Sequence, residues 1–431
     1  MKLFLYKQVR TILFSVIVLV TGFCVAAMAA VVEPASEGKF RTSKGTKAEE
    51  VYDNQGRSGT AGYEYGKGFK AGPVLFRPGI EYNYTWDNNI FFAPSNRSSD
   101  FIHQVVPSVD AELPLGGGQH LLTGGYTAIM EYFQRNDDQD HIDHILTAGG
   151  NFNFVPFSLS VDDSLRKTVD RSDTEFTSRI TRRENFAHAL LEIPFAQFFV
   201  ETEVFDLDVN YQHPEDSTFD HHDFTVYPRV GFDVAPSTQL LAEYGYKWID
   251  YRKTDNRDGD AHQFMVGLRG ALGSRTSYQV WNGIQLRTYE ADFQPDFHNY
   301  VMRGALSYTL TETSSIVVKG DVSPQESTFD NQNFYVRQRL EIGWRQQIRE
   351  RLFFNLREIL NHHDYSRITE RLGESKTRRD WVWESAVGLE YKMPNDIVSI
   401  FGEYKFSTRE SNLTLLDYED HALTGGIKAK F

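Results

Sequence analysis

Cysteine is almost absent from this chain, because Cys24 is the only one in 431 residues. It lies in an apolar amino-terminal run, and removal of that run would exclude disulfides, a thiol nucleophile and a thiolate metal site. Beyond residue 30, no apolar stretch is long enough to cross a membrane as a helix. Positive charge is scarcer than negative charge, and the net charge of -14 argues against a nucleic-acid partner.

The amino terminus has the organisation of a secretory signal peptide. Basic residues at positions 2, 7 and 10 precede a mostly apolar stretch, and Ala27-Met28-Ala29 supplies a small-residue cleavage site. A membrane anchor is the alternative, but the small residues at the end of the run favour cleavage. Cys24 does not indicate a lipoprotein, because bulky Phe23 precedes it. We therefore expect residues 1–29 to be a signal peptide that is removed during export.

Residues 30–72 are rich in Ser, Thr, Gly, Lys and Glu and have no apolar period. This composition is typical of a flexible segment, which we expect to lie in the periplasm. From residue 73 onward, apolar and polar side chains alternate, and this is the period of a β-strand. The alternation predicts eighteen strands, at about 73–92, 99–114, 119–134, 140–154, 157–170, 183–193, 198–211, 220–234, 239–251, 260–271, 276–290, 296–310, 315–324, 331–346, 351–366, 378–392, 397–410 and 419–431.

Short and long links alternate between these strands. Short links include 155–156 and 273–275, and longer, charged links include 171–182 and 368–377. This alternation is typical of an even-stranded barrel with both ends in the periplasm, whereas a soluble β-sandwich has no reason for it. The sequence therefore predicts an all-β, antiparallel up-and-down barrel of about 18 strands, at residues 73–431, in the outer membrane of a Gram-negative bacterium. Its expected partners are outer-membrane lipid and the barrel-assembly machinery, with Phe431 as the assembly signal.

Two features fit this prediction poorly. Pro107 and Pro228 fall inside predicted strands, where each removes a hydrogen-bond donor, so they indicate either wrong strand boundaries or bulges. The sixth and seventh strands, in residues 185–211, also alternate poorly.

The first hairpin resembles a known family. Its specific residues are Pro78, Asp87, Asn88, Asn89, Ile90, Ser99, Asp100 and Pro107. They are similar to the opening of the putative beta-barrel porin 2 family, and the likeness of strand rhythm extends from residue 73 to residue 431. The resemblance implies an outer-membrane pore that takes part in exopolysaccharide or capsule export, with polysaccharide and a periplasmic export complex as partners. It implies no catalytic residues.

The face opposite the apolar one should line the lumen, and from the tenth strand onward its basic residues outnumber its acids. The proposed lumen-facing residues are Arg269, Arg287, Arg303, Arg337, Arg339, Glu341, Arg345, Arg357, Lys405, Lys428 and Lys430. Such a wall would attract anions, and a salt-bridged lumen is the alternative. Trp281 also falls on this face, where it could stack on sugars, but a one-residue slip would turn it toward lipid, and we favour the slip.

No feature points to an enzyme or to a cofactor. Histidines cluster at 141–144, 221–222 and 362–363, but neighbouring strand residues point to opposite faces, so we expect no metal site. No serine-centred nucleophile elbow is present. Because the longest link has about a dozen residues, we expect no inward-folded loop. The lumen is then either open enough for a polymer or blocked by residues 31–72. A small-solute porin with a charged lumen and a structural envelope barrel are the alternatives to polysaccharide export.

Overall fold

The computed structural model describes residues 68–170, 175, 179–254, 257–291, 296–328, 332–371 and 374–431. The predicted signal peptide and residues 30–67 lie outside this part of the chain. The described strands are β1 (Phe69–Ala71), β2 (Val74–Asp87), β3 (Asp100–Leu115), β4 (His120–Phe133), β5 (His141–Asn153), β6 (Ser158–Thr168), β7 (Arg182–Phe195), β8 (Phe198–Tyr211), β9 (His221–Ala235), β10 (Thr238–Tyr251), β11 (Gly259–Leu272), β12 (Thr276–Tyr289), β13 (Phe297–Thr311), β14 (Ser314–Glu326), β15 (Phe334–Arg349), β16 (Leu352–Arg371), β17 (Glu374–Lys392), β18 (Val398–Ser411) and β19 (Tyr418–Lys430).

The strands β2 to β19 form one closed antiparallel barrel. Each strand pairs with its neighbour in sequence. The last strand, β19, pairs with β2, with Lys430 opposite Gly79 and Ala422 opposite Asp87. Closure leaves no unpaired sheet edge, which is the condition for a sheet to cross a bilayer. The predicted barrel of eighteen strands is confirmed. The short strand β1 adds a hairpin at its start, where it pairs with β2.

Short 3-10 turns interrupt several links in the described residues, at Gly116–Gly118, Asp137–Gln139, Ser217–Phe219 and Thr414–Leu416. The link predicted at 368–377 is not a loop, because Ile368 pairs with Thr377 and the β16–β17 ladder continues to Arg371 and Glu374. The residues of this stretch extend two long strands, and high polarity in the sequence alone cannot distinguish a solvated hairpin from a loop.

The interpretation of the two internal prolines as bulges or wrong boundaries is itself wrong. Pro107 lies within β3, and the β3–β4 register is the same on both sides of it, from Val105 opposite Met130 to Ser108 opposite Thr127. Pro228 interrupts the β9–β10 ladder in the same way. Each proline lacks its backbone N–H, which would donate to only one of the two neighbouring strands. The ladder therefore loses one hydrogen bond and keeps its register.

The outer face of the barrel is apolar. Ile80, Leu146 and Val266 are each more than half exposed, and many other large apolar side chains share this face. Such a large exposed apolar surface is expected if this face contacts the hydrocarbon core of a membrane. No helix in the described ranges is long and apolar enough to span a membrane.

Candidate functional site: the lumen

Ion pairs between strands that are not neighbours identify the inner face. A nitrogen of Arg303 on β13 lies 2.6 Å from a carboxylate oxygen of Glu243 on β10, and Lys247 on β10 lies 3.3 Å from Glu326 on β14. Side chains three or four strands apart can meet only on the concave side of a closed barrel, because they diverge on the convex side. Side chains at alternate positions from these residues therefore line the lumen.

A chain of ion pairs, which we call the inner ion-pair network, crosses this wall from β6 to β13. Glu243 contacts Arg229 at 2.5 Å and Arg303 at 2.6 Å, and its side chain has no exposed area. Because acids and bases are interleaved, the network carries little net charge. Its members, in order of contact, are Asp162, His188, Glu203, Arg229, Glu243 and Arg303, with Glu201 bridging Arg229 and Arg269.

Most of the predicted lumen-facing residues form ion pairs as well. Arg345 instead lies over the ring of Phe353, Arg357 is exposed, and Lys430 is partly buried. These contacts are those of a salt-bridged lumen, and the assignment of Arg357 and Lys430 to the lumen stays a prediction. The pairs are Arg269 with Glu201, Arg287 with Glu326, Arg303 with Glu243, Arg337 with Asp321, Arg339 with Glu341, Lys405 with Glu384, and Lys428 with Glu390.

Inward aromatic rings lie flat against the wall, over glycines of the neighbouring strand. Trp281 is fully buried, and a Cβ on Gly267 would lie 2.5 Å from its ring. The guanidinium carbon of Arg303 is 4.9 Å from the centroid of the Trp281 ring. The interpretation of Trp281 as lipid-facing is therefore wrong. The ring is covered by arginine on its lumen side, so it offers no open face for a sugar.

The link between β6 and β7 folds into the barrel. Ile180, in this link, is buried against the inward residues Leu207, Val209 and Tyr211 of β8. This contact explains why the alternation is poor in residues 185–211, since the inner face of β8 is apolar where the link covers it. The outer face of β8 carries Asp206, whose carboxylate pairs with His222 at 2.8 Å.

The same link reaches the opposite wall. Glu175 is buried, and its carboxylate accepts hydrogen bonds from the Ser327 hydroxyl at 2.7 Å and from the Thr328 backbone N–H at 2.6 Å. Ser327 and Thr328 follow β14, which lies eight strands from β6 in a ring of eighteen. Glu175, in the described part of this link, therefore lies across the mouth of the barrel from β6, and the expectation of no inward-folded loop is wrong. The length of the link does not exclude this path, because thirteen residues between Thr168 and Arg182 suffice to reach the opposite wall.

Comparison with known proteins identifies the family of this chain. A family model described as putative beta-barrel porin 2 matches residues 63–431. The chain belongs to this porin family. The family and the closed barrel together assign the porin to the outer membrane of a Gram-negative bacterium. No curated protein matches the chain.

Several solved outer-membrane structures are similar to this porin. OccAB3 of Acinetobacter baumannii and the outer membrane protein opdK of Pseudomonas aeruginosa each show 10% identity and a TM-score of 0.46, over 83% of this chain and 99% of the other. OccK9 (OpdG) of Pseudomonas aeruginosa shows 10% identity and a TM-score of 0.47, over 83% of this chain and 98% of the other.

The family-motif residues of the porin hold the seam where the barrel closes. The Asn89 side chain is fully buried, and its amide donates to the backbone carbonyls of Ala93 and Glu419, each at 2.9 Å. Asn88 accepts a hydrogen bond from the His421 N–H at 2.9 Å. The Phe431 N–H donates to the Pro78 carbonyl at 3.0 Å. These residues join the first and last strands, and the role of Phe431 as an assembly signal stays a prediction.

The remaining motif residues organise the neighbouring links. Asp87 accepts a hydrogen bond from the Asn89 N–H at 2.7 Å, and Asp100, fully buried after Ser99, accepts bonds from the backbone N–H groups of Arg135 and Asn136. Ile90 is buried in an apolar cluster with Ile102 and Phe133. All of these contacts are structural.

One histidine cluster does bring possible ligands together. Ligand atoms of His141, Asp143 and Asp170 lie within 4.8 Å of one another. However, a guanidinium nitrogen of Arg166 is 2.6 Å from Asp170 and 3.9 Å from Asp143, so a cation already compensates both carboxylates. This arrangement disfavours a metal ion.

Proposed function

We propose that this porin is a passive pore for small polar solutes, which is the alternative to polysaccharide export. The link anchored by Glu175 supports this proposal, because it divides the mouth of a barrel that would otherwise be wide enough for a polymer. The charged lumen supports it too, since alternating acids and bases keep the interior hydrated.

Export of exopolysaccharide is the second candidate, and it rests on the family resemblance. A polymer needs a continuous wide path and aromatic faces on which sugar rings can stack. Trp281 is covered by Arg303 and Arg229, and the link crosses the mouth, so both features favour small solutes. Loss of surface polymer upon gene deletion, with normal synthesis inside the cell, would favour export instead.

The proposal is tested by the Glu175→Ala variant in liposomes and planar bilayers. We expect the unmodified porin to admit monosaccharides and exclude longer oligosaccharides in swelling assays. Without the carboxylate, Ser327 and Thr328 lose their shared acceptor, the link is released, and both single-channel conductance and the size limit should rise.

The Glu410→Ala variant serves as the control, because it removes an exposed carboxylate from β18 without touching the link. A porin that conducts no ions, or one that passes long oligosaccharides without any substitution, would contradict the proposal.

A further inference from the structure

Two opposite sectors of the lumen wall differ in the sign of their charge. The strands β3 to β9 face the strands β12 to β18 across the closed ring, because each strand lies nine places from its counterpart in a ring of eighteen. We call the inward face of β3 to β9 the acidic wall and the inward face of β12 to β18 the basic wall. Their composition follows from the alternation of side chains along each strand.

Carboxylates dominate the acidic wall. Val109 and Leu165 are exposed on the outer face, so the side chains that alternate with them point inward. Within the described strands β3 to β9, the only lysine or arginine side chains that point inward are Arg166, Arg182 and Arg229. The inward carboxylates include Asp110, Glu112, Asp162, Glu192, Glu201 and Glu203. This wall therefore carries a net negative charge.

The basic wall has the opposite composition. Ile316 lies opposite Tyr308, which is exposed on the outer face, so Lys319, three residues further along β14, points inward. Within the described strands β12 to β18, the basic inward side chains outnumber the acidic ones. The inward bases include Arg287, Arg303, Lys319, Arg339, Arg345 and Lys405. This wall therefore carries a net positive charge.

The ion pairs within each wall preserve this difference. On the acidic wall, two carboxylates share one cation, because Arg229 contacts Glu203 and lies 3.7 Å from Glu201. On the basic wall, two cations share one carboxylate, because Glu341 lies 2.8 Å from Arg339 and 3.8 Å from the inward lysine of β14. Each group therefore has a surplus of the charge that dominates its wall.

Walls of opposite sign create an electrostatic field across the lumen, perpendicular to the axis of the pore. The low-dielectric protein around the channel focuses this field inside it. A solute that carries a positive and a negative group has a favourable wall for each end, whereas an uncharged solute has none. We propose that this transverse field selects small zwitterionic solutes, whose ammonium group turns toward the acidic wall and whose carboxylate turns toward the basic wall. This inference rests on the proposed function and names the class of small polar solute that the pore prefers.

The experiment compares the entry of two isomers into liposomes that contain the porin. β-Alanine is a zwitterion at neutral pH, whereas lactamide has the same mass and no charge. Swelling rates are measured at low ionic strength, because salt screens charges over about 10 Å at an ionic strength of about 0.1 M. We expect β-alanine to enter faster than lactamide. The ratio of the two rates is the readout, and the lactamide rate shows that the pore is intact.

The first variant neutralises carboxylates of the acidic wall and carries Asp110→Asn, Asp162→Asn and Glu192→Gln. We expect the ratio of the β-alanine rate to the lactamide rate to fall about twofold, the scale of one water-screened charge contact. The matched control neutralises carboxylates of β6 and β8 that point away from the lumen, so the ratio should not change. It carries Asp163→Asn, Asp206→Asn and Asp208→Asn.

The second variant neutralises cations of the basic wall and carries Lys319→Gln, Arg339→Gln and Arg345→Gln. The ratio should fall by a similar factor, because the field depends on both walls. Its control carries Lys167→Gln and Arg183→Gln, which remove exposed cations that lie opposite each other on the outer faces of β6 and β7.

The proposal fails if lactamide enters the unmodified porin as fast as β-alanine, if only one of the two wall variants lowers the ratio, or if an outer-face control lowers it equally. If a triple variant admits no lactamide, the single substitution Asp162→Asn or Arg339→Gln replaces it, with the same expected direction. Equal entry of the two isomers would contradict the field alone, whereas entry of neither would contradict the proposed pore.

Discussion

Glycine and aromatic side chains act as pairs inside this barrel. Phe199 lies over Gly231, Tyr227 over Gly245, and Trp281 over Gly267, each pair on neighbouring or nearby strands. A glycine weakens a strand, but it also leaves room for a ring to lie flat against the wall. The inward aromatics therefore fill space at the wall and do not protrude into the channel. The abundance of both residue types is visible in the sequence, while their pairing depends on the register between strands.

The Gly267→Ala substitution should destabilise the barrel. The new methyl group would lie 2.5 Å from the Trp281 ring, and the resulting overpacking should cost about 1–3 kcal/mol. Urea unfolding of the porin in lipid vesicles, followed by tryptophan fluorescence, measures the change. Gly343→Ala is the control, because nothing lies within 4 Å of the position of its Cβ. Equal effects of the two substitutions would contradict the pairing.

The Glu243→Gln substitution should have a larger effect on stability. Glu243 is the only carboxylate of the inner ion-pair network that contacts both Arg229 and Arg303 within the described residues, and it has no exposed side-chain area. Loss of its charge takes one carboxylate contact from buried Arg229 and one from partly buried Arg303, and breaking a buried ion pair costs about 3–5 kcal/mol. The same unfolding assay reports the change, with exposed Glu403→Gln on β18 as the control. Unfolding free energies that match in the two variants would contradict the network.

At the scale of the strand and the link, one sequence irregularity has a tertiary cause. The β7–β8 ladder is regular from Arg182 opposite Tyr211 to Phe195 opposite Phe198. The poor alternation arises because the inner face of β8 packs against Ile180, in the link that folds inward. An apolar side chain that faces the lumen is stable only where protein covers it. The poor alternation in the sequence of β8 therefore indicates that another segment of the chain covers the inner face of this strand.

The Ile180→Asn substitution tests the inner packing of that link. A polar side chain against Leu207 and Val209 should weaken the contact by about 2 kcal/mol or more. We expect single-channel conductance to rise, as we also expect for Glu175→Ala, because both residues anchor the same link. Ile368→Asn is the control, because Ile368 is an exposed residue at the far end of β16. Unchanged conductance in Ile180→Asn would show that the link does not limit the pore.

At the scale of the whole molecule, closure of the barrel depends on a few polar groups at one seam. The side-chain amide of Asn89, in the link after β2, donates one hydrogen bond to the backbone carbonyl of Glu419 on β19 and one to the backbone carbonyl of Ala93 in the same link. A single strand pair joins the two ends of an eighteen-stranded sheet. Loss of this pair would expose two unpaired edges, which are costly within a bilayer.

The Asn89→Ala substitution should therefore weaken the whole barrel. We expect a loss of about 1–3 kcal/mol, the cost of leaving buried carbonyls without a donor. Heat-dependent migration on an SDS gel, which distinguishes folded from unfolded barrels, gives the transition temperature. Asn355→Ala, at a partly exposed position on β16, is the control. A transition temperature equal to that of the control variant would mean that the motif residues serve another purpose.

The sequence by itself determined the class of fold and the number of strands, because both follow from local properties. Alternation of side chains and the lengths of the turns are set by residues close together in the chain. The tertiary structure alone decided which charges meet, such as Arg303 with Glu243, and where the link that carries Glu175 lies. These contacts join strands three to eight places apart, so they depend on barrel curvature and on register, and neither is encoded in any single stretch of sequence.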